Sequence, residues 1–373
     1  MTIDAFNGFY RGKTVLVTGH TGFKGTWLAI WLEQLGARVV GYALAPPSEP
    51  SHFTVSRLGD RIVDVRADVR DVAALQRTFE VHQPDVVFHL AAQSLVRLSY
   101  SEPRQTFDVN LNGTVNVLDT ALRCSSVAAA ISITSDKCYK NVGQAHGYAE
   151  DDTLGGHDPY SASKACAELA IAVYQDPRFQ TASARRDLPI ASARAGNVIG
   201  GGDWAKDRIV PDVVRAIEAR RDLVIRSPHA TRPWQHVLEP LSGYLWLGAR
   251  VGADPSLRSG WNFGPEEGRA VTVAEVVQGL LDRFRPPATR LVIEPDTSGT
   301  EAMLLQLDCT KARERLAWRP TFDLDETLDA IVEWYAAAAR GDADMYAITA
   351  EQLGRYTRRA RAEGIRWACQ GTP

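Results

Sequence analysis

Tyr160 and Lys164 lie four residues apart in the segment DPYSASKACAELA. In a helix this spacing places both side chains on one face, one turn apart. A lysine ammonium at that distance lowers the pKa of a tyrosine, whose hydroxyl can then take a proton from an alcohol. Ser135, in the segment ISITSDKCYK, can hydrogen-bond the same substrate oxygen. Together the three side chains indicate a site for hydride transfer at a carbinol carbon.

A glycine-rich loop predicts that a dinucleotide is the cofactor of this hydride transfer. The segment TGHTGFKG follows the β-branched run TVLVTG and opens a helical segment. The first glycine can make a tight turn, the second lets the backbone approach a pyrophosphate, and the third permits close packing of helix and strand. The helix N-terminus supplies free N–H groups for the phosphates. The loop residues predicted to bind the dinucleotide are Gly19, Thr21, Gly22, Phe23, Lys24 and Gly25.

Later segments should complete the cofactor site. Asp68, after the third predicted strand, could meet the adenine amine, and the small residues of HLAAQS would let the backbone approach. The second predicted strand runs into GYALAPPSEP, which has no acid before Glu49 to hold the ribose hydroxyls and no adjacent arginine. The residues themselves therefore leave the choice between NAD and NADP open. The further predicted contacts are Asp68, Val69, Leu90, Ala91 and Ala92, together with Tyr160 and Lys164.

Alternating strands and helices must position these groups. The apolar β-runs of the first half are TVLVTG, ARVVGYAL, RIVDVRADV, DVVFHLAA and AAAISITS, with helical segments between them, including one over 103–123. Such alternation predicts an α/β fold of the Rossmann type, a doubly wound parallel sheet buried on both faces. The second half is mixed, with helices near 208–220, from 272 and from 324, and strands near 222–227 and 260–264. The charged segment 346–367 is interpreted as a solvated surface helix.

Composition excludes several classes of protein. The net charge of −3 and the lack of a long basic run give no sign of nucleic-acid binding. The sequence contains no run of about 18 apolar residues, so it does not predict a membrane-spanning helix. The N-terminus lacks a signal-peptide pattern. Five cysteines without a CxxC pair indicate free thiols and no metal site. We expect a cytoplasmic enzyme or binding protein.

The glycine triplet, Ser135 and the Tyr160/Lys164 pair resemble the extended short-chain dehydrogenase/reductase family. Within it, the chain from about residue 11 to about residue 340 is similar to the CDP-glucose 4,6-dehydratases, in the segments GHTGFKGTWL, AAQSLVRLSY, SITSDKCYKN, DPYSASKACAEL, RAGNVIGGGDWAKDR and RPWQHVLEPLSGY. The resemblance implies an NAD-binding Rossmann domain over 1–195, completed by about 236–262. A smaller, mixed sugar-nucleotide-binding domain would span 196–235 and 263–373. It also implies bound NAD regenerated in each turnover, a homodimer or homotetramer paired through the Lys164 helix, and a pathway that supplies deoxysugars to surface polysaccharide.

The resemblance also implies a role for each residue after the fifth strand. Tyr160 would take the proton of the sugar 4-hydroxyl, with Lys164 as its partner and ribose anchor and Ser135 in the same network. Asp136 would protonate the departing 6-hydroxyl. Lys137 stands where dTDP-glucose relatives have a glutamate, the base for the C5 proton, and a lysine is the pattern of the CDP-glucose enzymes. A cation that stabilises the enolate is the alternative role for Lys137.

The chemistry explains why an acid and a base would stand together. A ketone at C4 makes the C5 hydrogen acidic, and elimination across C5–C6 then needs a base at C5 and an acid at O6. Asp136 should therefore be protonated and Lys137 neutral when they act. Burial shifts the pKa values of both groups in those directions, whereas a simple ion pair between them would do the reverse.

The substrate's nucleotide end should lie on NVIGGGDW and TRPWQH. Arg232 offers a planar fork suited to pyrophosphate, and by resemblance Asn197 and Arg232 contact it, with Arg208 a weaker candidate. Gln93 and Arg97 are candidates near the sugar. His236 is a candidate for the substrate site and equally for the core, and Asn110 is expected to be mainly structural.

Three hypotheses follow. The first is dehydration of CDP-glucose, and the second is a sibling enzyme, a 4-epimerase or a dehydratase of a dTDP-, UDP- or GDP-linked sugar. The third is a catalytically silent scaffold or cofactor sensor. Epimerases need the tyrosine and lysine but no acid and base after the serine, so the SDK tripeptide argues against them. The intact Ser/Tyr/Lys set argues against a silent protein.

Overall fold

The computed structural model describes residues 3–144, 146–182, 187–225, 227–266, 271–286, 289–294 and 305–369. Its strands are β1 (Thr14–Thr18), β2 (Arg38–Ala43), β3 (Val63–Arg66), β4 (Val86–His89), β5 (Ala129–Ile133), β6 (Ile190–Ala195), β7 (Val198–Ile199), β8 (Leu223–Ile225), β9 (Thr231–Arg232), β10 (Gln235–His236), β11 (Gly260–Phe263), β12 (Val271–Thr272) and β13 (Leu291–Ile293). Seven of them form one parallel sheet in the order β11-β6-β5-β4-β1-β2-β3. The predicted doubly wound parallel sheet is confirmed.

The helices are α1 (Phe23–Gln34), α2 (His52–Val55), α3 (Val72–His82), α4 (Val96–Ser101), α5 (Pro103–Phe107), α6 (Gly113–Arg123), α7 (Pro159–Gln175), α8 (Pro177–Ala182), α9 (Ile209–Glu218), α10 (Leu238–Arg250), α11 (Val273–Phe284), α12 (Thr310–Leu316), α13 (Leu324–Arg340) and α14 (Met345–Ala362). The helix predicted over 103–123 is α5 and α6 joined by a π-helical turn at Asp108–Asn112. Among the described helices, none is long and apolar enough to cross a membrane.

The central sheet is buried on both faces because its strands are apolar almost throughout. Successive residues point to opposite faces. Val15 and Val17 of β1 join a core with residues of α1 and α10. Leu16 joins a second core with residues of α3, α6 and α7. These two layers of helices fix the sheet and leave its carboxyl edge free to carry loops.

Short strand pairs build the second half of the described chain. β7 pairs with β10, β8 with β13, and β9 with β12, while α11 packs against α9 and α13. α10 packs against β5 and β6, and β11 forms the outer strand beside β6, so part of the second half returns to the central sheet. The domain boundaries stay a prediction.

The expectation of a solvated helix over 346–367 is wrong. Tyr346, Leu353 and Tyr356 form a buried face on α14, because apolar residues recur at helical spacing between the charged ones. Tyr356 and Trp367 each pack edge-on against Trp31 of α1, with ring centroids 5.8 Å apart. Phe6 stacks on Trp367 at 5.1 Å. The late helix therefore covers the helix that opens from the glycine loop.

Candidate active site

A cleft of about 1400 Å³ lies at the carboxyl edge of the central sheet. β1 continues to β2 on one side of the sheet, whereas β4 and β5 lie on the other, so the strand order reverses between β1 and β4. Ligands of open α/β sheets bind at such a reversal. Loops that follow β1, β4 and β5 form one wall, and segments of the second half form the other.

The glycine loop has the shape that a pyrophosphate requires. Gly19 has φ +78°, and a Cβ there would lie 2.8 Å from the backbone nitrogen of Ala91. A Cβ at Gly25 would lie 2.1 Å from the Gly19 carbonyl oxygen. At Gly22 a Cβ would meet only that oxygen, at 3.4 Å, so the space in front is open. No described side chain caps the N-terminus of α1, which leaves its N–H groups for an anion. The loop therefore fits a dinucleotide.

All the predicted cofactor contacts line this cleft: Gly19, Thr21, Gly22, Phe23, Lys24, Gly25, Asp68, Val69, Leu90, Ala91, Ala92, Tyr160 and Lys164. The Asp68 carboxylate accepts a hydrogen bond from Arg70 at 2.6 Å, which lowers the pKa of Asp68. The backbone nitrogen of Ala91 donates to the Thr18 hydroxyl at 3.2 Å. Burial, with a smaller contribution from the nearby charge of Arg208, lowers the pKa of Lys24 to about 8. The charge of Asp136 offsets only part of this decrease.

Tyr160 and Lys164 lie on the first turns of α7. Pro159 opens this helix, and the Asp158 side chain caps it by accepting from the Ser161 nitrogen at 2.9 Å. The side chains of Tyr160 and Lys164 are both buried. Lys164 Nζ makes a long contact of 3.5 Å with the Ile133 carbonyl oxygen. Burial lowers the pKa of Lys164 to about 8.

The pKa of Tyr160 moves against the expectation from sequence. Burial raises it to about 12, and the Ser135 hydroxyl and the Arg208 guanidinium offset only part of that rise. Desolvation disfavours the tyrosinate more than the neighbouring positive charge favours it. In this cleft the cation that lowers the tyrosine pKa is therefore Arg208, from the opposite wall.

The acid and the base share one short turn. β5 ends at Ile133, and the Ser135 hydroxyl caps the 3₁₀ turn Asp136–Cys138 by accepting from the Lys137 nitrogen at 3.2 Å. The same hydroxyl donates to Asp136 Oδ1 at 2.8 Å. Asp136 is 3% exposed, and burial raises its pKa, with Lys137 and Ser135 offsetting part of the rise. Among the described ion pairs, none joins Asp136 to Lys137. The turn therefore places a buried acid with a raised pKa beside a half-buried lysine.

Arg208 and Arg232 line the wall formed by the second half, and Arg97 of α4, on the strand-end wall, pairs across to it. Arg208 pairs with Asp203 at 2.9 Å, and Arg97 pairs with Asp207 at 3.1 Å. Arg232 lies on β9 and donates to the Thr231 carbonyl oxygen at 2.8 Å. These three arginines and Asn197 line the cleft. Their planar, charged donors suit an anionic substrate such as a sugar nucleotide.

Gln93 and His236 do not line the cleft. The Gln93 side chain accepts from the Leu95 nitrogen at 2.6 Å and donates to the Thr106 hydroxyl at 2.9 Å, so it shapes the loop after β4. His236 is fully buried between Trp27 and Phe322, and burial lowers its pKa to about 3. Asn110, in the π-helical turn, connects Gln93 to Ser163 of α7.

Sequence reasoning missed a buried ion pair beside the site. Glu168 Oε2 lies 2.7 Å from Arg194 Nη2. Two signals could have revealed it. Glu168 follows Lys164 by four residues on one helix, and Arg194 interrupts an apolar strand, where a charge needs a partner. Among the described residues, no group of histidines, cysteines and acids is placed to hold a metal ion.

The fold is that of the extended short-chain dehydrogenases/reductases. The chain belongs to the family described as GDP-mannose 4,6 dehydratase, whose model matches residues 16–331. It is 45% identical over 350 residues to the CDP-glucose 4,6-dehydratase of Salmonella typhimurium, covering 93% of this chain and 97% of that protein. It is 28% identical over 344 residues to a probable dTDP-glucose 4,6-dehydratase of Sinorhizobium fredii, covering 86% and 92%.

Solved structures share the fold at lower identity. The UDP-glucose 4-epimerase of Thermotoga maritima, solved with UDP-glucose, has a TM-score of 0.74 at 23% identity, covering 87% of this chain and 99% of that one. The dTDP-glucose 4,6-dehydratase of Bacillus anthracis, in complex with NAD, has a TM-score of 0.70 at 20% identity, covering 87% and 97%. Epimerases and dehydratases thus share this architecture, so the side chains of the cleft must distinguish their reactions.

Proposed function

We propose that this chain is a CDP-glucose 4,6-dehydratase, which converts CDP-glucose to CDP-4-dehydro-6-deoxyglucose and water. The observation that carries the proposal is the buried Asp136 beside Lys137, in the same cleft as Ser135, Tyr160 and Lys164. A 4-epimerase would need only the last three. The 45% identity to a CDP-glucose enzyme supports the choice of nucleotide.

The cleft residues fit NAD as the cofactor. Bound NAD would supply the hydride chemistry, an oxidation at C4 and a reduction at C6 of the dehydrated sugar. The open face at Gly22 and the uncapped N-terminus of α1 would hold its pyrophosphate. Lys164, which is buried and lines the cleft, would bind the nicotinamide ribose hydroxyls.

Tyr160 Oη, in its ionised form, takes the proton of the 4-hydroxyl during oxidation, and its pKa of about 12 makes loss of its own proton to solvent part of the cost of this step. Arg208 stabilises the tyrosinate from the opposite wall, and the Ser135 hydroxyl helps to hold the substrate oxygen. Asp136 then donates its proton to O6 as water leaves, a role for which its raised pKa prepares it.

Lys137 removes the C5 proton in this mechanism. A permanently charged Lys137 would instead stabilise the enolate, and Lys137→Arg separates the two roles because arginine keeps the charge and cannot act as a base. We expect Lys137→Arg to abolish exchange of the C5 hydrogen with solvent. Retention of most of the exchange rate would assign the enolate-stabilising role.

The nucleotide end of the substrate is assigned to the arginine wall. Arg232 and Asn197 bind the pyrophosphate of CDP-glucose, and Arg97 lies nearer the sugar. The support is that these side chains line the same cleft as Tyr160 and Asp136.

A homodimer or homotetramer, paired through α7, is part of the proposal. Leu169 and Val173 of α7 are 58% and 50% exposed, which is unusual for apolar residues on a helix beside the active site. Leu169→Glu should lower the mass measured by light scattering. Val81→Glu, on the equally apolar but distant surface of α3, is the matched control. By resemblance we place the enzyme in the cytoplasm and its product in deoxysugar supply for surface polysaccharide.

One incubation tests the reaction. The purified protein is mixed with CDP-glucose in deuterated water without added cofactor, and the product is analysed by NMR. We expect a 4-keto-6-deoxy sugar that carries deuterium at C5. Product from UDP- or dTDP-glucose, with none from CDP-glucose, would point to the sibling enzyme instead.

A further inference from the structure

Both flanks of the turn that carries Asp136 and Lys137 end on one buried ion pair. On the N-terminal flank, the Thr134 hydroxyl donates to Glu168 Oε1. On the C-terminal flank, Arg194 Nη1 donates to Tyr139 Oη at 2.7 Å. The pair between Glu168 and Arg194 closes the circuit at 2.7 Å. Hydrogen bonds to this ion pair therefore hold the turn on both of its flanks.

Buried partners surround this circuit. Ser192 donates to Glu168 Oε2 at 2.8 Å. Tyr139 Oη donates in turn to Asn262 Oδ1 at 2.7 Å, and the Asn262 amide donates to the carbonyl oxygens of Tyr148 and Asp308. A buried charge pair brings little net stability, since desolvation offsets its attraction. Such a network is retained where it fixes one arrangement of the groups around it.

The pair joins two elements with different tasks. Glu168 follows Lys164 by one turn of α7, the helix that carries the oxidation groups. Arg194 lies on β6, beside the strand whose end carries the turn. Neither side chain lines the cleft, whereas Thr134 and Tyr139 do. The pair can therefore act only through the residues that it holds.

We propose that Glu168 and Arg194 are positioning residues that fix Asp136 and Lys137 relative to Tyr160 and Lys164. The inference rests on the proposed dehydration. Tyr160 and Lys164 are held by the backbone of α7, whereas Asp136 and Lys137 belong to a single 3₁₀ turn. Loosening one flank of the turn should therefore impair elimination more than oxidation.

Tyr139→Phe removes the hydrogen bond from Arg194 on the C-terminal flank of the turn. Tyr10→Phe is the matched control. Each hydroxyl is buried and donates one short hydrogen bond, from Tyr10 to the Leu245 carbonyl oxygen at 2.6 Å, but Tyr10 does not line the cleft. We expect Tyr139→Phe to slow dehydration by between about tenfold and about a hundredfold with little change in KM, as for a small misplacement of catalytic groups. Reduced cofactor should accumulate during turnover in this variant and not in Tyr10→Phe.

Hydrogen exchange gives a readout that does not depend on turnover. In the cofactor-free protein, peptides covering 134–139 should exchange faster in Tyr139→Phe than in the wild type, with peptides of α7 unchanged. Tyr10→Phe should leave both unchanged. Faster exchange throughout the protein, or dehydration by Tyr139→Phe at the wild-type rate, would overturn the inference.

Thr134→Val loosens the other flank and keeps the test open if Tyr139→Phe folds poorly. It should give the same accumulation of reduced cofactor, and the double variant should be no worse than the product of the two single effects. Failure of the wild type to convert CDP-glucose would refute the proposed function. The exchange pattern would still report whether the pair holds the turn.

Discussion

The two walls of the cleft are built in opposite ways. On the strand-end wall, Ser135, Asp136, Tyr160 and Lys164 are all buried and held by a sheet and a long helix. On the other wall, Asp207 is 56% exposed and Arg232 stands on a two-residue strand. Burial shifts the pKa values of Asp136, Tyr160 and Lys164 on the first wall. The first wall is equipped for chemistry, and the second for holding an anion.

The largest effect should come from the most buried proton acceptor. Tyr160→Phe should reduce C4 oxidation by on the order of a thousandfold, since it removes the general base. Calorimetry should find that the variant binds CDP-glucose with nearly unchanged affinity. A large loss of affinity with oxidation intact would show that the two walls do not divide their tasks in this way.

Asp136→Asn should separate the two reactions performed by the strand-end wall, oxidation and elimination. Oxidation should survive in part, while elimination slows by about a hundredfold, because an amide has no proton to give to O6. Reduced cofactor would then build up on the enzyme and can be followed by its absorbance in stopped flow. Dehydration at the normal rate would mean that another group is the acid.

Arg232→Ala should affect binding and leave chemistry nearly unchanged. Loss of a charged hydrogen bond to the pyrophosphate costs about 1.5–3 kcal/mol, so KM should rise by about tenfold to about a hundredfold. Steady-state kinetics should show kcat within about threefold of the wild type. Arg232→Lys, which keeps the charge but loses the planar fork, should lie between the two. A fall in kcat alone would contradict the division between the walls.

The smallest effect concerns pH. The pKa of Lys164 is lowered to about 8, so its ammonium is present below that pH and is lost above it. kcat/KM for CDP-glucose should therefore rise by about tenfold for each pH unit below about 8, because the ionised fraction of Tyr160 grows towards its pKa of about 12. Above about 8 the ratio should level off, because loss of the Lys164 ammonium offsets that growth. An ordinary lysine would keep its charge to beyond pH 10. A rise that continues to pH 10 would remove Lys164 from the oxidation step.

Local patterns in the sequence predicted the strand-end wall well. The apolar runs predicted the first five strands of the sheet, and the four-residue spacing placed Tyr160 and Lys164 on one face of α7. Both depend only on neighbours in the sequence. The pKa of Tyr160 depends on burial, which raises it, and on Arg208, which lowers it from the opposite wall, and no short pattern encodes either effect.

Residues that depend on distant contacts could not be placed from sequence. His236 stands four residues after Arg232, yet β10 pairs with β7 and turns the histidine ring onto Trp27, away from the cleft. The Glu168–Arg194 pair joins a helix to a strand far along the chain. The charged residues of α14 led to the prediction of a solvated helix. Its buried face packs on Trp31 of α1, a contact between distant parts of the sequence.

The packing of Trp31 against Tyr356 and Trp367 has a consequence for how the protein is made. α1, which opens from the glycine loop, leaves the ribosome early, but the aromatic residues that cover it are among the last of the described chain to be synthesised. The nascent cofactor-binding half must therefore carry exposed tryptophan surface throughout elongation. Such transiently exposed apolar surface makes a growing chain prone to aggregation until Tyr356 and Trp367 cover it.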